Sequence, residues 1–203
     1  MDINGSATRL FAMGVLGAGL ADAYHHEDAL SVREVELSMH RRIGAPEEHL
    51  LAVQSNLACT YGELGRDEQA LDLRRDVYSG NLRLNGEESE TTLKAANNYA
   101  NILLIMKRYA EGKSLLRKTM PVARRVLGEN DETTLTMRWN YAEALVRADN
   151  ATVGDIREAV TTLEETARIA RRVFGGAHPL TEAIETALRR ARAALRASET
   201  PSP

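Results

Sequence analysis

The fold is decided by the stretch Asn56-Leu-Ala-Cys-Thr-Tyr-Gly-Glu-Leu-Gly-Arg66 and by the segment Glu68-Gln-Ala-Leu71 that follows it. Parts of this pattern return along the chain at intervals of 42 residues. The recurring positions are Asn56, Asn98 and Asn140, with Ala58, Ala100 and Ala142 in the same register. Self-similarity at a fixed period of this length is the signature of a repeat protein, in which each unit packs on its neighbours. We therefore expect a solenoid.

Each repeat is predicted to contain a first and a second helix joined by a short turn. Leu57, Tyr61 and Leu64 illustrate the reason, because apolar residues three or four positions apart share one face of a helix. Glycines close the second helices at Gly44, Gly86, Gly128 and Gly175, as expected for a residue with positive φ beyond a helix end. The predicted first helices cover residues 48–64, 90–106 and 132–147, and the second helices 67–84, 109–127 and 155–174.

The two ends of the sequence extend the same scheme. Residues 10–24 and 29–44 form a predicted N-terminal helix pair, and its contact is expected to use the small residues Gly14, Gly17, Ala18 and Gly19. Residues 179–197 are predicted to be a capping helix, with arginines making one side polar. We expect a single domain over residues 1–198, with repeats at about 8–44, 45–86, 87–128 and 129–175, and a disordered tail at 199–203.

Composition excludes several classes of protein. The chain has 26 basic and 29 acidic side chains, and the resulting net charge of −3 does not favour binding to nucleic acid. No apolar run is long enough to cross a membrane. The single cysteine, Cys59, cannot form an internal disulfide and fits a cytoplasmic location. We expect it to be a small packing residue.

The sequence lacks the patterns of a catalytic or metal site. It contains no Gly-x-Ser-x-Gly, Gly-x-x-x-x-Gly-Lys or His-Glu-x-x-His motif. His25 and His26 are adjacent, so on a helix they point away from each other, and the remaining histidines are scattered. We therefore expect no enzyme activity, no metal and no cofactor.

The repeats resemble the tetratricopeptide repeat, and their 42-residue spacing resembles the kinesin light chain type. His178-Pro179 at the start of a helix and Leu127-Gly128 at the end of one are also typical of that type. The resemblance implies an all-α solenoid of antiparallel helix pairs in a right-handed superhelix. It also implies a protein–protein interaction scaffold or adaptor that binds a peptide or partner segment in a concave groove. The N-terminal heptad coiled coil of kinesin light chains has no counterpart here, which favours a stand-alone adaptor or a fragment over a motor light chain.

The resemblance places the groove on the first helices. There Asn56, Asn98 and Asn140, which occupy equivalent positions, would form hydrogen bonds with a peptide backbone. The alternative is that each asparagine bonds to the helix of a neighbouring repeat. Trp139 is interpreted as an anchor for the ligand, with a core position as the alternative. Lys94 and Arg147 are expected to favour an acidic residue in the ligand. The predicted peptide-binding residues are Asn56, Lys94, Asn97, Asn98, Asn101, Trp139, Asn140, Glu143 and Arg147.

Two alternatives remain open at the level of the sequence. The chain could be a regulatory or oligomerising module of a larger multidomain protein, acting through its convex face or its ends, and we expect a monomer or a weak homo-oligomer. The arginines near the ends of the second helices are assigned to helix stability, because cations are favourable there. The alternative for these arginines is a site for phosphate or an acidic peptide.

Overall fold

A computed structural model of the chain describes residues 3–199, with side chains described from Thr8 onward. Over these residues the chain forms nine helices and no strand. They are α1 (Ile3–Asp22), α2 (His26–Arg42), α3 (Glu47–Glu63), α4 (Asp67–Asn85), α5 (Glu90–Ile105), α6 (Tyr109–Val126), α7 (Glu132–Arg147), α8 (Val153–Phe174) and α9 (Pro179–Glu199). The all-α fold of paired helices predicted from the sequence is confirmed.

The chain forms two compact units, Met1–Gly86 and Glu87–Pro203. In the first unit, α1 to α4 pack in order along the chain. In the second unit, α6 packs on α5 and α7, and α8 packs on α7 and α9. The division falls at a predicted repeat boundary, and the assignment of residues 1–198 to one domain stays a prediction.

The helix ends agree with the predicted ones to within three residues, except that α1 begins at Ile3 and not at the predicted residue 10. Gly86 and Gly175 follow α4 and α8 with φ of 76° and 88° and ψ of 176° and 166°, a backbone region that is almost exclusive to glycine. The last helix continues to Glu199, so the first residue of the predicted tail is helical. The rest of that predicted tail, residues 200–203, lies outside the described residues.

Small residues set the distance between the helices of a pair. In the second unit Ala100 and Ala142 are completely buried. A Cβ atom on Gly112 of α6 would lie 2.4 Å from the Cδ1 atom of Leu104 and 3.7 Å from the carbonyl oxygen of Ala100. A side chain at residue 112 would have to displace the Leu104 side chain, so the packing of α5 on α6 at this crossing is built around a glycine.

The predicted contact between α1 and α2 is only half correct. A Cβ atom on Gly14 would lie 3.2 Å from Oε1 of Glu36, and one on Gly17 would lie 3.3 Å from Cγ of Arg33, so both glycines face α2. Gly19 has no neighbouring atom within 4 Å of its Cβ position, and Ala18 is exposed. Successive residues on a helix are rotated by about 100°. Residue 19 therefore points away from the face that residues 14 and 17 share, and residue 18 lies at the edge of that face.

Arginines near the C-termini of the second helices bind groups at the N-termini of the first helices. The Arg125 guanidinium pairs with Glu88 at 2.6 Å, and Arg172 donates to the Asn130 side chain at 2.9 Å. Arg83 pairs with Glu47 in the same way in the first unit. These contacts support the assignment of the arginines to helix stability. Each exposed ion pair contributes little on its own.

Candidate functional site

In the second unit the first helices lie side by side, with the second helices behind them. Helix α7 contacts both α5 and α9, while α6 and α8 pack from the other side. Eight of the nine predicted peptide-binding residues lie on α5 and α7. We call the surface formed by Lys94, Asn97, Asn98, Asn101, Trp139, Glu143 and Arg147 the α5–α7 face.

Asn140 is buried rather than open on this face. Its side chain is 4% exposed, and its Nδ2 atom donates a hydrogen bond to Oδ1 of Asn97 at 3.1 Å. The amide therefore joins α7 to α5, which is the alternative role considered for these asparagines. A ligand on the surface cannot reach Asn140, so its contribution to a site is to position Asn97.

The register of the repeats explains which first helices are joined by such a hydrogen bond between amides. Asn97 and Trp139 occupy equivalent positions, as do Asn98 and Asn140, and the longer last interval makes Ala187 the equivalent residue on α9. Ala187 is buried and has no side-chain donor, and Trp139, at the position of the acceptor Asn97, has no side-chain acceptor. The asparagine contact that joins α5 to α7 therefore cannot be repeated between α7 and α9.

Trp139 is half-buried, and its indole nitrogen is more enclosed than its ring. The Nε1 atom is shielded from solvent and has no hydrogen-bond partner among the residues that the structure describes. A shielded donor without an acceptor costs free energy.

The charged residues of the α5–α7 face are already paired. Nζ of Lys94 donates to Oε1 of Glu90 at 2.5 Å, and this hydrogen bond raises the pKa of Lys94. Arg147 lies 3.6 Å from the carboxylate of Glu143, and its guanidinium carbon is 5.4 Å from the centre of the Tyr109 ring. An acidic residue in a ligand would have to displace these carboxylates, so the expected preference for acidic ligands is weakened.

Two further asparagines complete the face. Asn98 and Asn101 are both half-buried on α5. Asn56, the ninth predicted residue, lies on α3 in the first unit, where its side chain is exposed. Its main-chain carbonyl accepts a hydrogen bond from Arg33 at 2.9 Å.

Arg33 is a buried charge that the sequence interpretation missed. It is 8% exposed and also donates to the hydroxyl of Thr60. Nearby on α2, Glu36 is 6% exposed, and burial raises the pKa of Glu36, with Arg33 opposing that rise. The sequence does indicate that Arg33 is buried, because this residue lies between Leu30 and Leu37 on the apolar stripe of the helix.

The structure also brings together two histidines that look unrelated in the sequence. The rings of His40 at the end of α2 and His49 at the start of α3 lie 6.1 Å apart in an edge-on arrangement. Burial, followed by repulsion from His49, lowers the pKa of His40. Both residues flank the turn at Gly44, which is why a spacing rule for a single helix does not find them.

Other features bear on the choice of chemistry. Within residues 3–199, no three His, Cys, Asp or Glu side chains lie close enough to form a metal site. No helix in this range has the length and apolar character needed to cross a membrane. Cys59 is exposed, so the expectation that it is a small packing residue is wrong.

Comparisons with known proteins agree with this architecture. Residues 91–152 match the family model of the tetratricopeptide repeat. Two crystal structures of a candidate kinesin light chain with nearly identical TPR-like repeats from Podosopora anserina, one of them a point variant, are similar in fold. The point variant has a TM-score of 0.76 and 21% identity, and the other form has 0.73 and 22%; each comparison covers 92% of this chain and 86% of that chain.

A third crystal structure, BtubC (BKLC) from P. vanneervenii, has a TM-score of 0.59 and 15% identity, and the comparison covers all of this chain and 86% of that one. No curated protein sequence matches the chain. The resemblance drawn from the repeats is thus confirmed at the level of the fold: the chain has a fold similar to the tetratricopeptide-repeat solenoids of kinesin light chain-like proteins, and its residues 91–152 match the repeat itself.

Proposed function

We propose that the protein is an interaction scaffold whose α5–α7 face binds an extended segment of a partner protein. Tetratricopeptide repeats generally mediate protein–protein interactions, and residues 91–152, which match that family model, include nearly all of α5 and all residues of the face. The observation that carries the proposal is the group of half-buried amides on one side of α5, next to the half-buried ring of Trp139.

The side chains of this face suit the chemistry of an extended peptide. Such a segment presents main-chain N–H and C=O groups, and the amides of Asn98 and Asn101 can serve as both donor and acceptor. Asn97 has one acceptor position occupied by Asn140 and keeps its own N–H groups for a ligand. An apolar side chain of the ligand would pack on Trp139, since tryptophan is enriched at the centre of interfaces.

The charge balance of the face favours a ligand segment of low net charge. Lys94 and Arg147 each have a carboxylate partner on their own helix. Because exposed ion pairs of this kind are weak, an acidic ligand group could replace either carboxylate, but the exchange would add little to the free energy of binding. Binding in the micromolar range is expected, since the segment loses conformational freedom when it binds.

The proposal includes no catalytic step, cofactor or metal, and it places the scaffold in the cytoplasm. Solenoids of this kind are non-catalytic in general. The partner is a protein, and the proposal involves neither nucleic acid nor membrane. A role as a regulatory or oligomerising module is favoured by one separate observation, the exposed apolar side of α1, which is taken up below.

The proposal is tested with peptides selected from a random library against the full chain. Affinities are measured by titration calorimetry for the wild type, Asn101→Ala and Trp139→Ala, with circular dichroism as the check on folding. We expect Trp139→Ala to weaken binding by about 2 kcal/mol and Asn101→Ala by a smaller amount. Lys118→Ala, at an exposed lysine on α6, is the matched control. Peptides that bind all three variants as tightly as the wild type would refute the proposed site.

A further inference from the structure

The first helix presents an apolar surface that no described element covers. On α1, Phe11 is 76% exposed, Val15 58% and Leu16 53%. Val15 and Leu16 point away from Leu10, which is buried, and Phe11 lies one turn before Val15 at the edge of the same surface. Contiguous exposed apolar surface of this kind in a soluble protein marks an interaction site.

Small residues on the same side leave room for a second backbone. Ala12 is exposed, and the Cβ position of Gly19 has no neighbouring atom within 4 Å. The surface therefore combines protruding side chains at Phe11, Val15 and Leu16 with flat positions between them. Another helix with the same alternation could approach it closely.

The charges of α1 are arranged in a way that is complementary to a second copy. Arg9 and Asp22 are the only charged residues of the helix, and they lie at opposite ends of the apolar surface. Both side chains are exposed, and neither forms an ion pair with the residues that the structure describes. Two such helices in antiparallel orientation bring each arginine next to the aspartate of the other copy.

We propose that this surface binds the same surface of a second copy of the chain, with the two α1 helices antiparallel about a two-fold axis between Val15 and Leu16. In this register Arg9 faces Asp22 of the other copy, and Ala12 faces Gly19. Val15 and Leu16 of both copies meet near the centre, and Phe11 lies toward one edge of the contact. An isologous contact of this type is the commonest way in which identical chains associate.

The size of the surface sets the strength of the dimer. From residue 9 to residue 22 a helix is roughly 20 Å long, at about 1.5 Å per residue. One helix pair of this length buries less area than the roughly 800 Å² per partner found in stable complexes. The dimer is therefore weak, with a dissociation constant in the micromolar range.

Analytical ultracentrifugation of the full chain over a wide range of concentrations tests the proposal. We expect a reversible monomer–dimer equilibrium for the wild type. Val15→Glu should raise the dissociation constant at least tenfold, because it places a carboxylate at the centre of the contact. The control is Val126→Glu, the same change at an exposed valine of the second unit, which should leave the equilibrium unchanged. Circular dichroism verifies that each variant is folded.

Charge reversal tests the orientation of the helices. Arg9→Asp and Asp22→Arg should each raise the dissociation constant several-fold, and the double variant should restore the wild-type value. Failure of the double variant to restore association would overturn the antiparallel register. A chain that stays monomeric at every concentration, or that sediments with neutral lipid vesicles as a monomer, would overturn the proposal as a whole.

Discussion

Asn140 shows how a single buried amide can set the geometry of a neighbouring surface. Its hydrogen bond to Asn97 is enclosed between α5 and α7, so replacing it with alanine leaves an acceptor without its donor. We expect Asn140→Ala to lower the free energy of unfolding by about 1–2 kcal/mol in urea denaturation. Asn101→Ala, at a half-buried position on α5, should change the free energy by less than about 0.5 kcal/mol. Equal stability of both variants would show that the buried amide pair has no structural role.

Asp155 provides a second test at the residue scale, through pH. Its carboxylate accepts hydrogen bonds from the main chain and hydroxyl of Thr152 at the start of α8 and, at 3.2 Å, from Lys113. These bonds, chiefly those from Thr152, lower the pKa of Asp155 from 3.8 to about 2. Because the folded state holds the carboxylate ionised, this stabilisation is present above pH 3.8 and is lost as the pH falls toward 2.

We expect Asp155→Asn to lower the free energy of unfolding by about 1 kcal/mol at neutral pH, the usual worth of a helix cap. The difference from the wild type should shrink as the pH falls through this window, when urea denaturation is repeated along a pH series. Asp149→Asn, at an exposed aspartate nearby, is the control and should have little effect at any pH. A difference that stays constant down to a pH of about 2 would mean that the carboxylate's charge is not the cause.

At the scale of helices and turns, three of the four junctions between first and second helices share one backbone conformation, and the junction between α7 and α8 does not. Gly65 has φ of 68° at this position, while Tyr24 and Lys107 adopt φ of 62° and 61° in the equivalent turns. A residue with a side chain is strained there by roughly 1–2 kcal/mol, which glycine avoids. Glycine also makes the unfolded chain more flexible, which offsets part of the gain.

We therefore expect Lys107→Gly to raise the free energy of unfolding by about 0.5–1 kcal/mol, measured by thermal or urea denaturation. The control is Lys118→Gly, within α6, where glycine should cost about 1 kcal/mol because it weakens a helix. If Lys107→Gly destabilises the protein as much as the control does, the left-handed turn is not a source of strain.

The crossing of α5 on α6 gives a prediction about packing. Ala100 is completely buried, and the carbonyl oxygen of Ala100 lies close to Gly112. We expect Ala100→Leu to overfill this contact and to lower the free energy of unfolding by ~1–3 kcal/mol. Ala110→Leu, at an exposed position on α6, is the control. An unchanged melting temperature for Ala100→Leu would mean that the repeat register is wrong.

Over the whole molecule, the repeat period was sufficient to predict the helices and their ends. The equivalence of Asn56, Asn98 and Asn140 fixed the register, and the glycines marked where the second helices stop. The period alone does not show how the neighbouring helix surrounds each residue. Asn98 and Asn140 are equivalent in sequence, yet the burial of Asn140 depends on Asn97 across the helix contact.

The limits of prediction at the N-terminal end have the same origin. A row of small residues indicates that α1 can approach another helix, but it does not say on which side. Gly17 faces α2 and Gly19 faces open space, because the two are separated by about 200° around the helix. Similarly, His40 and His49 meet only because a turn joins the helices that carry them.

The most direct test of the central proposal uses Trp139, the only tryptophan of the chain, as its own probe. Its half-buried ring lies on the α5–α7 face, so a bound segment should change the environment of the indole. Titration with a library-selected peptide should shift the emission of Trp139 to shorter wavelength, with the same dissociation constant as calorimetry gives. Calorimetric binding that leaves the emission of Trp139 unchanged would contradict the proposal that the α5–α7 face is the ligand surface.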